Sequence, residues 1–120
     1  MTDRRHLAGQ QGEDLAAQHF ERLGFDVLAR NHRTRYGELD LVVYDGRTLV
    51  FVEVKTRRSD SREPWENLHW AKQSKVRRMA LSWLHESNRP FSRNLRFDGV
   101  AILLDPHGQL VRLDHLEAAF

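Results

Sequence analysis

Apolar residues follow a helical spacing in two stretches of the chain and strand-like patterns elsewhere. The first stretch predicts a helix over residues 7–23, which stops at Gly24, a residue typical of helix C-termini. The second predicts a longer helix over residues 67–87, ended by Pro90. Its apolar residues share one face; they are Leu68, Val76, Met79, Ala80, Trp83 and Leu84. Both helices are therefore expected to bury one side against a sheet.

Five runs rich in Val, Leu, Ile and Phe predict the strands of that sheet, over residues 25–31, 38–44, 48–56, 96–105 and 109–113. Asp114 is a candidate cap for a closing turn of helix. The order α-β-β-β-α-β-β predicts an α/β fold with a mixed central β-sheet flanked by helices. Residues 1–120 are expected to form a single domain, with residues 1–6 flexible.

An Asp-Gly pair at residues 45–46 lies between two strands and predicts a hairpin. A symmetric two-residue turn there places Asp40 opposite Phe51 and makes Glu53 a diagonal neighbour of Asp40. Because side chains alternate between the faces of a strand, Lys55 projects to the same side. An odd shift of this register would send the two carboxylates to opposite faces.

Two carboxylates on one face can hold a divalent cation, and oxygen ligands suit Mg²⁺ or Mn²⁺. A desolvated Lys55 beside the cation could orient or deprotonate a water, or stabilise developing negative charge. The alternative interpretation is an ordinary Glu–Lys pair on the half-exposed face of a strand, because an E-x-K triplet alone is weak evidence.

Composition excludes several classes of protein. The chain has 120 residues, of which 40% are hydrophobic, and this supports a real core. The absence of cysteine removes disulfides, thiolate zinc sites and Cys nucleophiles. No apolar run is long enough to cross a bilayer, and residues 1–6 lead into no secretory signal. A cytoplasmic protein without a membrane partner is expected.

Charge is unevenly distributed. Residues 55–96 hold eleven Lys or Arg against four acids, a net charge of +7, whereas the other residues carry −5. Sixteen of the nineteen basic residues are Arg, which suits bidentate contacts to phosphate. This pattern indicates a surface for nucleic acid, although the same charges could simply solvate a helix.

The segments GELDLV at residues 37–42 and FVEVKTR at residues 51–57 resemble the PD-(D/E)xK nuclease superfamily. Within it, the chain resembles the YraN family of endonuclease-like bacterial proteins over nearly its whole length. The resemblance implies a restriction-endonuclease-like fold, with Asp40, Glu53 and Lys55 as the catalytic residues. It also implies metal binding by Asp40 and Glu53, with Glu13 on the first helix as a third carboxylate.

The expected function is a Mg²⁺- or Mn²⁺-dependent endonuclease that hydrolyses phosphodiester bonds in nucleic acid, with DNA as the expected substrate. The alternative is a nucleic-acid-binding protein with this fold and little or no catalysis. Homodimerisation is left open. Trp65 and Trp70 are interpreted as loop anchors in preference to base-stacking residues. Candidate nucleic-acid contacts are Arg33, Arg35, Arg57, Arg58, Lys72 and Lys75.

Overall fold

A five-stranded sheet carries one helix on each face. A computed structural model describes residues 4–60, 69–70, 72–87 and 94–120, without the side chains of residues 4 and 5. The elements are α1 (Arg4–Arg22), β1 (Asp26–Thr34), β2 (Gly37–Tyr44), β3 (Thr48–Arg58), α2 (Gln73–Ser87), β4 (Asn94–Leu104) and β5 (Leu110–Leu116). The predicted order α-β-β-β-α-β-β is confirmed.

The strands lie in the sheet in the same order as in the sequence, from β1 to β5. Strands β3 and β4 are parallel, whereas the other neighbouring pairs are antiparallel. The parallel pair requires a crossover, and α2 lies on that connection, as expected for a βαβ unit. The sheet is therefore mixed, as the sequence predicted.

Each helix covers its own hydrophobic core. From α1, Ala16, Ala17 and Phe20 pack on the sheet face that carries Leu41 and Val52. On the opposite face α2 contributes its buried stripe, which is Val76, Met79, Ala80, Trp83 and Leu84, against residues such as Val42 and Phe51. Adjacent residues of β2 and β3 thus enter different cores, because both faces of these strands are covered.

Three predicted boundaries need correction. Helix α2 begins at Gln73, so the predicted start near residue 67 was too early. Residues 69, 70 and 72 are not helical, and residues 67, 68 and 71 lie outside the described part. The first helix begins at Arg4, inside the segment expected to be flexible. The predicted closing helix was wrong, since β5 continues to Leu116 and a turn follows it.

The hairpin between β2 and β3 has a longer loop than predicted. Observed pairs are Leu41–Val52 to Tyr44–Leu49, which shifts the register by two residues, so that Phe51 faces Val42 and not Asp40. The Asp45 Oδ1 accepts the backbone N–H groups of Arg47 at 2.8 Å and Thr48 at 2.7 Å and thereby widens the turn. Because the shift is even, Asp40 stays on the same sheet face as Glu53 and Lys55.

A buried ion pair ties β4, β5 and the chain end together. Asp98 has no exposed surface and accepts two hydrogen bonds from the Arg96 guanidinium, at 2.8 and 2.9 Å. Its carboxylate also lies 2.7 Å from Nε2 of His115 and accepts the backbone N–H of Ala118 at 3.1 Å. The second ring nitrogen of His115 lies 2.9 Å from Nε2 of His19 on α1. The buried Asp98 carboxylate thus has hydrogen-bond partners from β4, from β5 and from the turn that follows β5.

Candidate active site

The site begins where strands β2 and β3 separate. Their backbone pairing stops at Leu41–Val52, and one further step would set Asp40 opposite Glu53. Instead, Oδ2 of Asp40 accepts the backbone N–H of Val54 at 2.8 Å. A side chain thus takes the place of a ladder partner, and the two strands form a fork whose inner wall carries carboxylates.

Three carboxylates meet at this fork. One oxygen each from Glu13, Glu38 and Asp40 lies within 4.8 Å of the other two. Helix α1 supplies Glu13 from one face of the sheet, and β2 supplies the other two with the i, i+2 spacing of one strand face. Asn31, which has a left-handed backbone at φ 52°, hydrogen-bonds the Glu13 side chain.

The acids perturb one another's protonation. Burial is the largest cause that raises the pKa of Asp40, against a hydrogen bond from Val54 that lowers it. The carboxylates of Glu13, Glu38 and Glu53 also raise it, and the resulting pKa is about 7. Burial likewise raises the pKa of Glu13, with Glu38 adding to the effect and the Asn31 hydrogen bond opposing it. A nearby cation would relieve this repulsion.

Glu53 and Lys55 face the same cavity from β3. The Nζ of Lys55 lies 3.2 Å from Oε1 of Glu53, and the Glu53 side chain is only 18% exposed. The cavity has a volume of about 250 Å³ and is also lined by Lys75 and Met79 from α2. Carboxylates and two lysines thus line the same small cavity.

The structure brings the predicted catalytic residues together. Asp40, Glu53 and Lys55 all line the one cavity. Glu13 joins Asp40, but the three-carboxylate group found in the described part of the chain includes Glu38 and not Glu53. Glu38 was not among the metal ligands predicted from the sequence, although its position two residues before Asp40 was the available signal for a candidate ligand.

The candidate nucleic-acid contacts are dispersed. Lys75 lines the cavity, and Nε of Arg33 lies 3.6 Å from Oε2 of Glu38. Arg35 lies over the ring of Tyr36, outside the acidic site. Lys72 is exposed just before α2.

The two predicted arginines of β3 differ in their placement. Alternation along the strand puts Arg57 on the face of Glu53 and Lys55. Arg58 is paired with Asp60 and lines a separate cavity beside Leu7 and Gly108, so it does not face the acids. The basic residues Arg62, Arg89 and Arg93, and also Trp65, lie outside the described residues.

Trp70 is placed as a packing residue. Its ring stacks on Phe120, with 6.3 Å between centroids, and it lies so close to Gly99 that a Cβ there would be 2.8 Å from the indole. The interpretation of Trp70 as an anchor agrees with this contact.

The fold and the site define a class of protein: a small α/β domain with a carboxylate cluster and two lysines at a fork in a mixed sheet. Residues 12–102 match the model of the uncharacterised protein family UPF0102, and this range includes each carboxylate and lysine of the cavity described above. The chain belongs to this family, also called YraN, which confirms the resemblance seen in the sequence.

Relatives from distant bacteria match over most of their length. A UPF0102 protein of Rhodococcus opacus is 46% identical over 113 residues, covering 93% of this chain and 94% of the relative. One from Pelotomaculum thermopropionicum is 44% identical over 121 residues, with both chains covered fully. A third, from Dictyoglomus turgidum, is 35% identical over 113 residues, covering 93% of this chain and 95% of the relative. Within the described residues, neither helix is long and apolar enough to cross a membrane.

Proposed function

We propose that this protein is a Mg²⁺-dependent endonuclease that hydrolyses phosphodiester bonds in DNA, with Mn²⁺ as an effective substitute. The observation that carries the proposal is the group of three carboxylates, Glu13, Glu38 and Asp40, at the edge of a cavity that also holds Lys55. Two of these acids, Glu13 and Asp40, have raised pKa values, and such groups are typical of functional sites.

The donor set suits a hard cation. All candidate ligands are carboxylate oxygens, which Mg²⁺ and Mn²⁺ prefer. Asp40 lies beside both Glu13 and Glu38, and its Oδ2 accepts the backbone N–H of Val54. Glu53 borders the same cavity and is a further candidate ligand. A bound cation would polarise a phosphoryl oxygen and lower the pKa of an attacking water.

The lysines supply positive charge to the same cavity. Glu53 holds the Lys55 ammonium inside the cavity at 3.2 Å, so the charge is positioned before substrate arrives. Lys75 reaches the cavity across Gly37, where a Cβ would lie 3.0 Å from its Cε. Both ammonium groups can stabilise the charge that develops on a phosphate oxygen during hydrolysis.

Cleavage of labelled DNA substrates of several shapes, with Mg²⁺, Mn²⁺ or excess chelator, tests the proposal. We expect metal-dependent nicking that falls by roughly 100-fold or more in Asp40→Asn, because one ligand is lost. Glu13→Gln should also lose activity, whereas Glu21→Gln on the exposed side of the same helix should not. Equal cleavage by Asp40→Asn and the unaltered protein would show that this site does not catalyse the reaction.

The alternative function is nucleic-acid binding without catalysis. It is favoured by one observation, namely that Lys55 already pairs with Glu53 and that Glu53 stands outside the three-carboxylate group. Salt-sensitive binding to DNA that persists in chelator, with no cleavage of any substrate by pure protein, would support it.

A further inference from the structure

A second groove continues from the acidic cavity along α2. It lies between the turn that joins β1 to β2 and the exposed side of the helix, and its volume is about 640 Å³. The end of β1 contributes Arg33, the turn contributes Arg35 and Tyr36, and α2 contributes Arg78, Leu81 and His85.

Two guanidinium groups in this groove are held by an aromatic ring. The Arg35 guanidinium carbon lies 5.0 Å from the centroid of Tyr36, and that of Arg78 lies 5.6 Å from it. An Nη of Arg35 also donates to the Tyr36 hydroxyl at 2.8 Å. Neither arginine pairs with a carboxylate of the described residues. These charges are positioned by cation–π contacts and remain available to an anion.

Among the described residues, Glu86 is the one acid that lines the groove, and it already has partners. An Oε of Glu86 lies 3.0 Å from Nε2 of His32, and its other oxygen accepts the Ser82 hydroxyl at 3.5 Å. In the described part of the chain, three arginines thus line the groove against this glutamate, and one of them, Arg33, also contacts Glu38. The excess of positive charge favours a polyanion over a neutral molecule or an anion with a single charge.

The groove and the acidic cavity share α2 as a common wall. Lys75, Arg78, Ser82 and His85 follow one another at spacings of three and four residues, and hence lie in one row. Ten residues of helix span about 15 Å, roughly four nucleotides of a stacked strand. Arg33 joins the two sites, because it lines the groove and lies 3.6 Å from Glu38.

We propose that this groove binds an unpaired strand of nucleic acid that leads into the carboxylate cluster. The arginines would contact phosphates, and bases would stack on the guanidinium planes supported by Tyr36 and against Leu81, which is 66% exposed. In a duplex the faces of the bases are buried by stacking, so a duplex could contact only the charged groups of the groove. The inference rests on the proposed nuclease function for the place where the strand is cut.

Fluorescence anisotropy of the whole chain in chelator tests this groove without catalysis. The probes are a labelled short oligothymidylate, the matching oligouridylate and a blunt duplex of equal length. We expect either single strand to bind roughly tenfold more tightly than the duplex, the scale of one stacked base. Arg35→Ala and Arg78→Ala should each weaken single-strand binding several-fold and reduce the slope of log Kd against log salt by about 0.7.

Arg77→Ala is the matched control. Arg77 is an exposed neighbour on the same helix that does not line the groove, so its loss changes net charge equally but should leave the single-strand preference intact. Equal affinity for duplex and single strand, or equal effects of Arg77→Ala and Arg78→Ala, would overturn the inference.

The two proposals fail separately. Metal-dependent cleavage that Arg35→Ala and Arg78→Ala leave unchanged, with no preference for single strands, would overturn the groove and keep the nuclease. Groove-dependent binding of single strands without cleavage under any metal would support the groove and overturn the nuclease.

Discussion

At the scale of single residues, the molecule places two acids in opposite circumstances. Asp98 is fully buried and is surrounded by Arg96, His115 and a backbone N–H, so its charge is compensated. Asp40 is also largely buried, but its neighbours are acids, and its pKa rises to about 7. One carboxylate therefore supports the fold, while the other is held at a cost that a cation would remove.

The raised pKa of Asp40 makes stability depend on pH. Its folded value, about 7, exceeds the ordinary 3.8, so the folded chain binds the proton more tightly than the unfolded chain. The free energy of unfolding should therefore fall as the pH rises through this interval, by at most about 4 kcal/mol. Asp40→Asn should remove this contribution and be relatively more stable at about pH 8 than at about pH 5. Urea unfolding in chelator at both pH values measures the free energy of unfolding of the variant and the parent. The same change between the two pH values in both proteins would contradict the prediction.

His19 should give a trend of the opposite sign. Burial lowers its pKa from the ordinary 6.5, and His115 lowers it further. The unfolded chain then binds the proton more tightly, so this histidine removes stability as the pH falls through about 6.5. His19→Gln should flatten the acid side of the stability profile, as followed by thermal melting. A steeper acid loss in the variant would show that protonated His19 is tolerated.

Replacing one carboxylate oxygen of Asp98 should strongly lower the free energy of unfolding, because Asp98 is buried and paired with Arg96. Asp98→Asn removes the charge but keeps the shape, and it leaves the guanidinium with only the longer contact to the exposed Glu117, at 3.7 Å. We expect a loss of about 3 kcal/mol in the free energy of unfolding. Asp114→Asn is the control, because the Arg112–Asp114 pair is more exposed and such pairs contribute up to about 1 kcal/mol. Similar losses in the two variants would argue against a special role for burial.

At the scale of elements, the site depends on how closely α1 approaches β3. A Cβ on Gly12 would lie 1.8 Å from Oγ1 of Thr56, so only glycine allows this approach. Glu13 is the next residue, and the position of its carboxylate follows the helix. Packing of the helix and assembly of the carboxylate cluster are thus set by the same contact.

Gly12→Ala should therefore damage both stability and metal binding. The extra methyl should force α1 away from β3, with a loss of about 1–3 kcal/mol. Gly9→Ala is the matched control, since nothing lies within 4 Å of a Cβ there and alanine favours a helix by up to about 1 kcal/mol. Urea unfolding and calorimetric Mn²⁺ titration of both variants give the two readouts. Metal binding that Gly12→Ala leaves unaltered would separate the packing contact from the site.

The sequence specified elements better than their spatial relations. Alternation along β3 correctly put Glu53 and Lys55 on one face, because side-chain period is a local property. The register was wrong by two residues because the Asp45 side chain bonds two amides and lengthens the turn, which the Asp-Gly pair alone does not reveal. Glu13 was connected to Asp40 only by resemblance, since a helix docking through Gly12 is a tertiary event.

At the scale of the whole molecule, both faces of the sheet supply the site. Glu13 comes from α1 on one face, and Lys75 comes from α2 on the other. Asp40 belongs to both the carboxylate group and the cavity lining, and it lies where the pairing of β2 and β3 stops beyond Leu41 and Val52. The complete arrangement exists only in the folded domain, so a ligand that binds it must stabilise the fold.

Divalent metal should therefore raise the melting temperature, and more so at high pH. Protons compete with metal for Asp40, whose pKa is about 7, so the effect should be strong at about pH 8 and weak at about pH 5. Metal at about 100 times its Kd adds roughly 2.7 kcal/mol. Differential scanning fluorimetry with Mn²⁺ measures this, with Asp40→Asn as the variant that should not respond. Equal stabilisation of that variant would place the metal elsewhere.

The fork in the sheet also divides the domain mechanically. Strand β3 is paired with β4 along all eleven of its residues but with β2 at only four, so the β1–β2 hairpin is the weakly attached part. Its opening would widen the cleft while β3, β4 and β5 stay together. The hydrogen bond from the Val54 N–H to Asp40 connects β3 and β2 across that opening. Amide hydrogen exchange at Val54 should thus be slow, should slow further with bound metal, and should accelerate in Asp40→Ala ahead of the rest of β3.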